Sequence, residues 1–368
     1  MSTTPTNIAP DKITIPVHAD GHDYDVHITR MESLGGHVRA MSDSPLVVVI
    51  TNPQLVAHVA APAIESLKAA GFRVVVATLE PGEANKSLAS VGSLFDQIFP
   101  HRPERSTVVV AIGGGIVTDV AGFVAATLLR GVRLVSVPTT LLAMVDSSVG
   151  GKTGVNHSTG KNLIGSFHQP GMVLIDVRTL RTLPAREISA GLAECVKHDL
   201  IRDAGHFARL LPILSAVQVQ SADVLEEFIA HNVRIKAKVV EEDPTEEGVR
   251  AHLNLGHTFG HAYETVSNYA MLHGECVSLG IISSAHVSRE LGLISADEAS
   301  QISRTLRACM LPTSGMAFDV DRVMEVMRND KKVRQGKIRL VLLDGIGKAV
   351  VRDDVSDSLV RSAIESIR

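Results

Sequence analysis

Tryptophan is absent from this 368-residue chain, and aromatic residues make up only 3% of it. Stacking platforms for bases or sugars are therefore scarce. Cysteine is nearly absent. Cys195, Cys276 and Cys309 are too few and too scattered for a disulfide framework or a Cys-type zinc site, and they suit a reducing cytosol. Charge of one sign is not in excess. A formal net charge of −4 leaves no basic footprint for nucleic acid, although local Lys and Arg clusters can still set the field for a small anion. No apolar run reaches the roughly 18 residues that suggest a membrane span. The polar first residues lack the basic-then-apolar pattern of a signal peptide. These absences predict a cytoplasmic protein with neither nucleic acid nor membrane as partner.

What is present is a repeated β–α pattern. Residues 45–51 (PLVVVIT), 72–78 (FRVVVAT), 106–112 (STVVVAI), 133–137 (RLVSV) and 172–176 read as strands separated by helical stretches. Asn52 reads as the cap of a helix with Pro53 at its first position. Apolar strands alternating with helices predict a parallel sheet covered on both faces. Residues 13–28 suggest a two-stranded ribbon, and the first ten residues a frayed end. After Pro184 the character changes. Residues 190–201, 224–240 and 274–291 read as helices, and only 338–343 with 348–351 suggest a small hairpin. A domain boundary is expected near Pro184.

The glycines Gly113, Gly114 and Gly115 follow the third of these strands and open a helix at Ile116-Val117-Thr118-Asp119. Successive glycines let a backbone approach a pyrophosphate, and a helix N-terminus supplies N–H donors. The G-x-G-x-x-G fingerprint is absent, so a tight turn with no ligand is an equal reading. Two further strand ends add weight. Glu83 and Lys86, in 81–86 (PGEANK), can accept from and donate to ribose hydroxyls. Thr139-Thr140 follows the fourth strand, at the edge where open α/β sheets bind ligands.

His257 and His261 stand at i and i+4 on one helix face. His273 lies in Leu272-His273-Gly274-Glu275, and Glu194 is a carboxylate on an otherwise apolar helix, costly unless paired or metal-bound. With sixteen histidines in the chain, a chance pair is not rare. A catalytic zinc takes three N or O ligands. The spacing favours His257 and His261, completed by His273 or Glu194, and does not choose among the four. HExxH is absent. Residues 146–156 and 160–162 are dense in glycine and polar groups and read as a functional loop. Gly151-Lys152-Thr153 matches the end of a Walker motif, but Asp146 occupies the place of its first glycine, which excludes a triphosphatase.

Gly113–Asp119, Arg130-Gly131-Val132, residues 137–143, 145–156 and 160–165, Leu183–Glu187, Gly191–Glu194, Leu253–His261 and Leu272–Glu275 together resemble the 3-dehydroquinate synthases, within the wider sugar phosphate cyclases. The likeness runs from about residue 45 to 350 and is most specific over 137–165. It implies an α/β N-terminal NAD-binding domain with a parallel sheet over 1–184, then a mostly α-helical metal- and substrate-binding domain over 185–368. It makes Glu194, His257 and His273 the ligands of Zn2+ or Co2+ and moves His261 to phosphate binding and proton transfer. The implied reaction converts 3-deoxy-D-arabino-heptulosonate 7-phosphate to 3-dehydroquinate and phosphate. It runs through oxidation at C5, elimination, reduction, ring opening and aldol closure, with NAD regenerated each turnover and a metal as Lewis acid.

The same resemblance puts Asp146, Lys152, Lys197, Asn254 and His261 at the reacting atoms. It gives the phosphate to Lys152, Asn162, Asn254 and His261, with Arg130 reaching in from the partner of a homodimer. Lys236 and Arg250 take the substrate carboxylate, with Glu246 orienting them, and Lys331 or Lys332 completes the substrate site. Glu83, Lys86, Gly114, Gly115, Ile116, Asp119, Thr139, Thr140, Lys152, Lys161, Thr179 and Thr182 line NAD. Thr118, His168, His198-Asp199, Pro244 and Cys276 depart from the usual pattern, and none is a carried-over ligand. Three rivals remain on the page: a cyclase of a carboxylate-free substrate such as sedoheptulose 7-phosphate, a polyol dehydrogenase releasing NADH, and a non-catalytic NAD-binding scaffold. Lys236 and Arg250 argue against the first, the Lys152–Asn162 set against the second, and the intact metal and basic sets against the third.

Overall fold

The computed structural model of the protein describes residues 12–19, 21–218, 221–328 and 338–368. The expected frayed end and both Lys331 and Lys332 lie outside these residues. The chain divides into two compact units. One comprises Met1–Leu183 with Leu225–Pro244, the other Pro184–Val224 with Thr245–Arg368.

The first unit is built on a seven-stranded sheet in the order β1-β2-β9-β6-β5-β3-β4. The strands are β1 (Ile13–Val17), β2 (Tyr24–Ile28), β3 (Leu46–Thr51), β4 (Arg73–Thr78), β5 (Val108–Gly113), β6 (Arg133–Pro138) and β9 (Met172–Ile175). From β2 onward every neighbouring pair is parallel. Central parallel strands are covered on both faces, which is why β3 and β5 are uninterrupted apolar runs buried at every residue. Alternate residues of β3 go to opposite sides. Val48 and Ile50 pack with the helices Leu88–Ile98 and Gly115–Thr127. Val47 and Val49 pack with Leu34–Met41 and Ala61–Ala69. The expected ribbon forms as β1 and β2, but it is not separate: β2 pairs with β9 and extends the sheet. Asn52 precedes a short helix, Pro53–Val56, without capping it, because its amide instead donates to the Leu79 carbonyl at 2.6 Å.

The residues expected as a functional loop, 146–156 and 160–162, are mostly regular secondary structure. A π-helical turn spans Ala143–Ser147. After it, β7 (Lys152–His157) and β8 (Gly160–Phe167) form an antiparallel hairpin. Its glycines serve close strand approach. A side chain on Gly154 would meet the Ile164 carbonyl at 2.4 Å, and one on Gly165 the Thr153 carbonyl at 2.1 Å.

Among its described residues the second unit is helical, with one small hairpin of β10 (Leu340–Leu343) and β11 (Ala349–Arg352). Its core joins Phe259, Tyr263, Leu279, Met324, Leu342 and Ile364. The helix Ala185–Arg202 begins directly after Pro184 and is buried from Ile188 to Ile201. A side chain on Gly274 would lie 1.9 Å from the Ala190 carbonyl, and one on Gly280 2.0 Å from that of Gly256. These two positions bring the starts of the helices His257–Val266 and His273–Glu290 to backbone contact with their neighbours, and so set three potential ligands in register. The helix Ala222–Glu242, read as part of a second domain, counts from Leu225 with the first unit. Its Lys236 and Glu241 bond there to Asp146 and to the His18 amide.

Candidate active site

In the helical unit, Glu194 sits on the helix Ala185–Arg202 with no exposure at all. Its two oxygens do different things. Oε2 pairs with the ammonium of Lys197, one turn on and equally buried. Oε1 has no hydrogen-bond donor and faces His273 Nε2 at 3.4 Å and His257 Nε2 at 3.6 Å. Donor atoms of Glu194, His257 and His273 all lie within 4.8 Å of one another. A buried carboxylate oxygen without a donor is costly. Set between two imidazole nitrogens, it is the O,N,N donor set that a catalytic metal takes. The residues fit such an ion.

The surrounding groups favour ionised Glu194. Burial pushes its carboxyl up, but Lys197, His257 and His273 outweigh that and hold it well below the usual carboxylate range. Burial pushes the His273 imidazole down, while Glu264 and Glu194 raise it, to about 10. His257 Nδ1 lies 3.2 Å from the Leu255 carbonyl, and His273 Nδ1 lies 3.0 Å from Glu264 Oε1. His261 stands beside both of these imidazoles, with centroids 5.4 Å from His257 and 5.8 Å from His273. Elsewhere in this unit the Asn254 amide donates to Glu246 Oε1 at 2.7 Å, and Arg250, on the turn Val249–Asn254, is 1% exposed.

In the sheet unit, the glycine turn leads from β5 into the helix Gly115–Thr127. This is where chain order reverses. The helix Ala61–Ala69, after β3, lies on one face and the helix after β5 on the other. Ligands bind open α/β sheets at such a switch point. A side chain on Gly114 would come within 3.0 Å of Thr140 Cγ2, so a residue larger than glycine would crowd the turn. Thr139 donates its amide to the Gly113 carbonyl, and Thr140 Oγ1 accepts from the Ala143 amide. Gly115 and Ile116 are the first helical residues, and their N–H groups point out of the helix start. These residues fit a dinucleotide phosphate.

Around the turn runs a polar network. Lys86 donates to Asp119 and to Asn162 Oδ1, each at 2.5 Å. Asn156 donates to Glu83 at 2.8 Å, and Lys161 lies 3.4 Å from the same carboxylate. Asn162 has a left-handed backbone, φ 54°, which asparagine tolerates, and its amide donates to Asn156 Oδ1. Thr179 and Thr182 turn their hydroxyls back to the carbonyls of Asp176 and Thr179. Lys236 pairs with Asp146 Oδ1 at 2.5 Å and with the Asp146 carbonyl. Lys152 lies exposed on β7, and Arg130, itself exposed, ends the turn Leu128–Arg130 at φ 69°.

Two features escaped the sequence reading. Glu264, 1% exposed, continues the His257–His261 spacing to i+7, and that periodicity was the signal for it. Asn156 was read only as part of a loop. Its side chain joins the strand end carrying Glu83 to the hairpin, a pairing distant in sequence that no local pattern marks.

The chain is similar to proteins of known activity. Residues 76–190 match the family model "3-dehydroquinate synthase N-terminal" and residues 191–333 "3-dehydroquinate synthase C-terminal". The chain is 41% identical to the 3-dehydroquinate synthase of Nostoc punctiforme, covering 96% of this chain and 99% of that one. It is 44% identical to that of Prochlorococcus marinus, covering 87% and 88%. Among solved structures, 2-deoxy-scyllo-inosose synthase with carbaglucose-6-phosphate, NAD+ and Co2+ superposes with a TM-score of 0.88 at 26% identity, over 97% of this chain and 100% of that one. The 2-epi-5-epi-valiolone synthase of Streptomyces hygroscopicus, with NAD+ and Zn2+, gives 0.86 at 26%, over 94% and 96%. Glycerol dehydrogenase of Schizosaccharomyces pombe, at 16% identity, a TM-score of 0.62 and coverage of 91% and 86%, shares the fold alone. With both family regions present in order and curated relatives matched over nearly their whole length, the chain belongs to the 3-dehydroquinate synthase family.

Proposed function

We propose that this chain converts 3-deoxy-D-arabino-heptulosonate 7-phosphate to 3-dehydroquinate and phosphate in the cytoplasm, as a homodimer using NAD and a divalent metal. The full-length likeness to curated 3-dehydroquinate synthases carries the reading. The orphaned Glu194 oxygen between two imidazoles supports the metal, and the glycine turn at the switch point supports the dinucleotide. Among the described residues no helix is long and apolar enough to cross a membrane.

Glu194, His257 and His273 would hold the metal, and residues 114–116 with Thr139 and Thr140 the NAD phosphates. When bound, the pair supplies reversible hydride transfer and Lewis-acid polarisation of the substrate oxygen. The protein's own groups do the rest. Lys197 neutralises Glu194 and holds one of its oxygens away from the imidazoles. His261, beside both ligand rings, takes and returns a proton. Asp146, held by Lys236, positions a hydroxyl. Lys152, Asn162 and Asn254 bind phosphate, with Arg130 contributed by the partner subunit. Arg250, with Lys236 and Glu246, recognises the carboxylate, and a guanidinium suits that planar anion.

The test is product analysis with zinc, trace NAD+ and the heptulosonate phosphate. Dehydroquinate and inorganic phosphate should appear over many turnovers with no net NADH. Stoichiometric NADH, or turnover only with sedoheptulose 7-phosphate, overturns the reading.

A further inference from the structure

Glu264 belongs to neither the ligand set nor the substrate groups assigned above, yet it is a carboxylate with 1% exposure. Such a group is costly unless it holds a partner. It holds His273 Nδ1, 3.0 Å from Oε1. The opposite ring nitrogen of His273 faces the Glu194 oxygen that has no donor. The neighbouring ligand ring is arranged the same way: His257 Nδ1 meets the Leu255 carbonyl, and Nε2 faces Glu194. Both imidazoles thus spend Nδ1 on an acceptor and turn Nε2 inward. For His257 the acceptor is backbone. For His273 it is a side chain, on the same helix face as His257 and His261.

We propose that Glu264 is a positioning residue for the metal site, fixing His273 as the Nδ1–H tautomer so that its Nε2 lone pair is presented to the ion. The inference rests on the metal reading given above. His261, Glu264 and His273 also bring donor atoms within 4.8 Å of one another, which makes Glu264 a ligand in a rival arrangement. The geometry favours the positioning role, because Glu264 already accepts a hydrogen bond from His273 whereas Glu194 Oε1 accepts none.

The experiment titrates metal-stripped protein with Zn2+ against a chromophoric chelator and records the Co2+ visible spectrum. Wild type, Glu194→Ala, Glu264→Ala and Glu264→Gln are compared. Loss of an outer-shell partner of this kind typically weakens metal binding about 10- to 100-fold. Glu264→Ala should fall in that range and keep the ligand-field bands of the wild type. Glu264→Gln, whose amide oxygen still accepts from Nδ1–H, should recover most of the affinity. Imidazole 15N chemical shifts of the zinc-loaded wild type should show His273 as the Nδ1–H tautomer, and the isosteric Gln variant gives this readout even if the Ala variant fails to fold. Wild-type affinity and an unchanged His273 signal in Glu264→Ala overturn the proposal. Collapse of Glu264→Ala to the level of Glu194→Ala with altered Co2+ bands overturns it in favour of Glu264 as a ligand. Zinc binding that survives in Glu194→Ala instead overturns the metal reading, and with it the assignment of Glu264.

Discussion

Glu194 and Lys197 stand one turn apart on a single helix, at 0% and 1% exposure, and their side chains pair directly. Removing one partner of a buried ion pair strands the other charge, at a cost of about 3–5 kcal/mol. Lys197→Met should therefore lower the urea midpoint of metal-stripped protein. Saturating zinc should restore much of the loss by taking over neutralisation of Glu194. The same carboxyl sets an acid limit. Its folded pKa is depressed, so its contribution is present above the unfolded value of about 4.3 and fades only as pH falls towards the folded one. A midpoint loss as large with zinc as without it contradicts this account.

Metal uptake should depend on pH in a defined sense. In the metal-free site His273 is raised to about 10 by Glu264 and Glu194 acting against burial, so near neutral pH it carries a proton that a metal must displace. Affinity should rise with pH, about tenfold per unit while a single proton is released. Zinc titrations between pH 6.5 and 8.5, repeated calorimetrically in buffers of different ionisation enthalpy, measure both the slope and the proton. A flat profile removes His273 from the ligand set.

What could be read in advance follows from range. The strands β3 and β5 announce themselves because burial on both faces demands unbroken apolar runs such as Val47–Ile50. The candidate metal donors were narrowed to four residues by spacing, and what separates them lies in tertiary contacts: Glu194 reaches His257 only across 63 positions of chain. The hairpin β7–β8 was hidden because Gly154 and Gly165, loop formers by composition, are required there by strand approach. The attachment of the first ribbon was equally hidden, since β2 finds its partner β9 more than 140 residues later. Glu264 shares the helix face of His257 and His261 by spacing, and its contact with His273 shows what that position does.

Lys86 ties two distant segments to the glycine-turn helix through Asp119 and Asn162. A hydrogen bond to a charged group is worth about 1.5–3 kcal/mol. Lys86→Met should weaken NAD+ binding by roughly 10- to 100-fold, read by calorimetry. Zinc affinity should hold, since its donors all lie in the other unit. Unaltered NAD+ affinity would separate this network from the cofactor.

The proposed choice of substrate is tested at Arg250. In the proposed reading Lys152, Asn162 and His261 meet the phosphate end of a heptulosonate phosphate, and Arg250 meets its carboxylate. Arg250 is 1% exposed, and desolvating a guanidinium is repaid only by charge and hydrogen bonds. A planar carboxylate offers both in bidentate form. Losing one partner of a buried hydrogen-bonded charge pair costs about 2–5 kcal/mol. Arg250→Ala should lower kcat/KM for the heptulosonate phosphate by roughly 30-fold to several thousand-fold, at about tenfold per 1.36 kcal/mol. NAD+ and zinc affinities should change little, which separates the effect from misfolding. Sedoheptulose 7-phosphate, which lacks the carboxylate, is the comparison: the wild type should turn it over poorly, and the substitution should not depress that rate further. An intact heptulosonate rate in Arg250→Ala would move carboxylate recognition to other residues. A wild type that prefers sedoheptulose 7-phosphate would transfer this chain to the carboxylate-free branch of the sugar phosphate cyclases, because a guanidinium that recognises the carboxylate gives its advantage to the substrate that carries one.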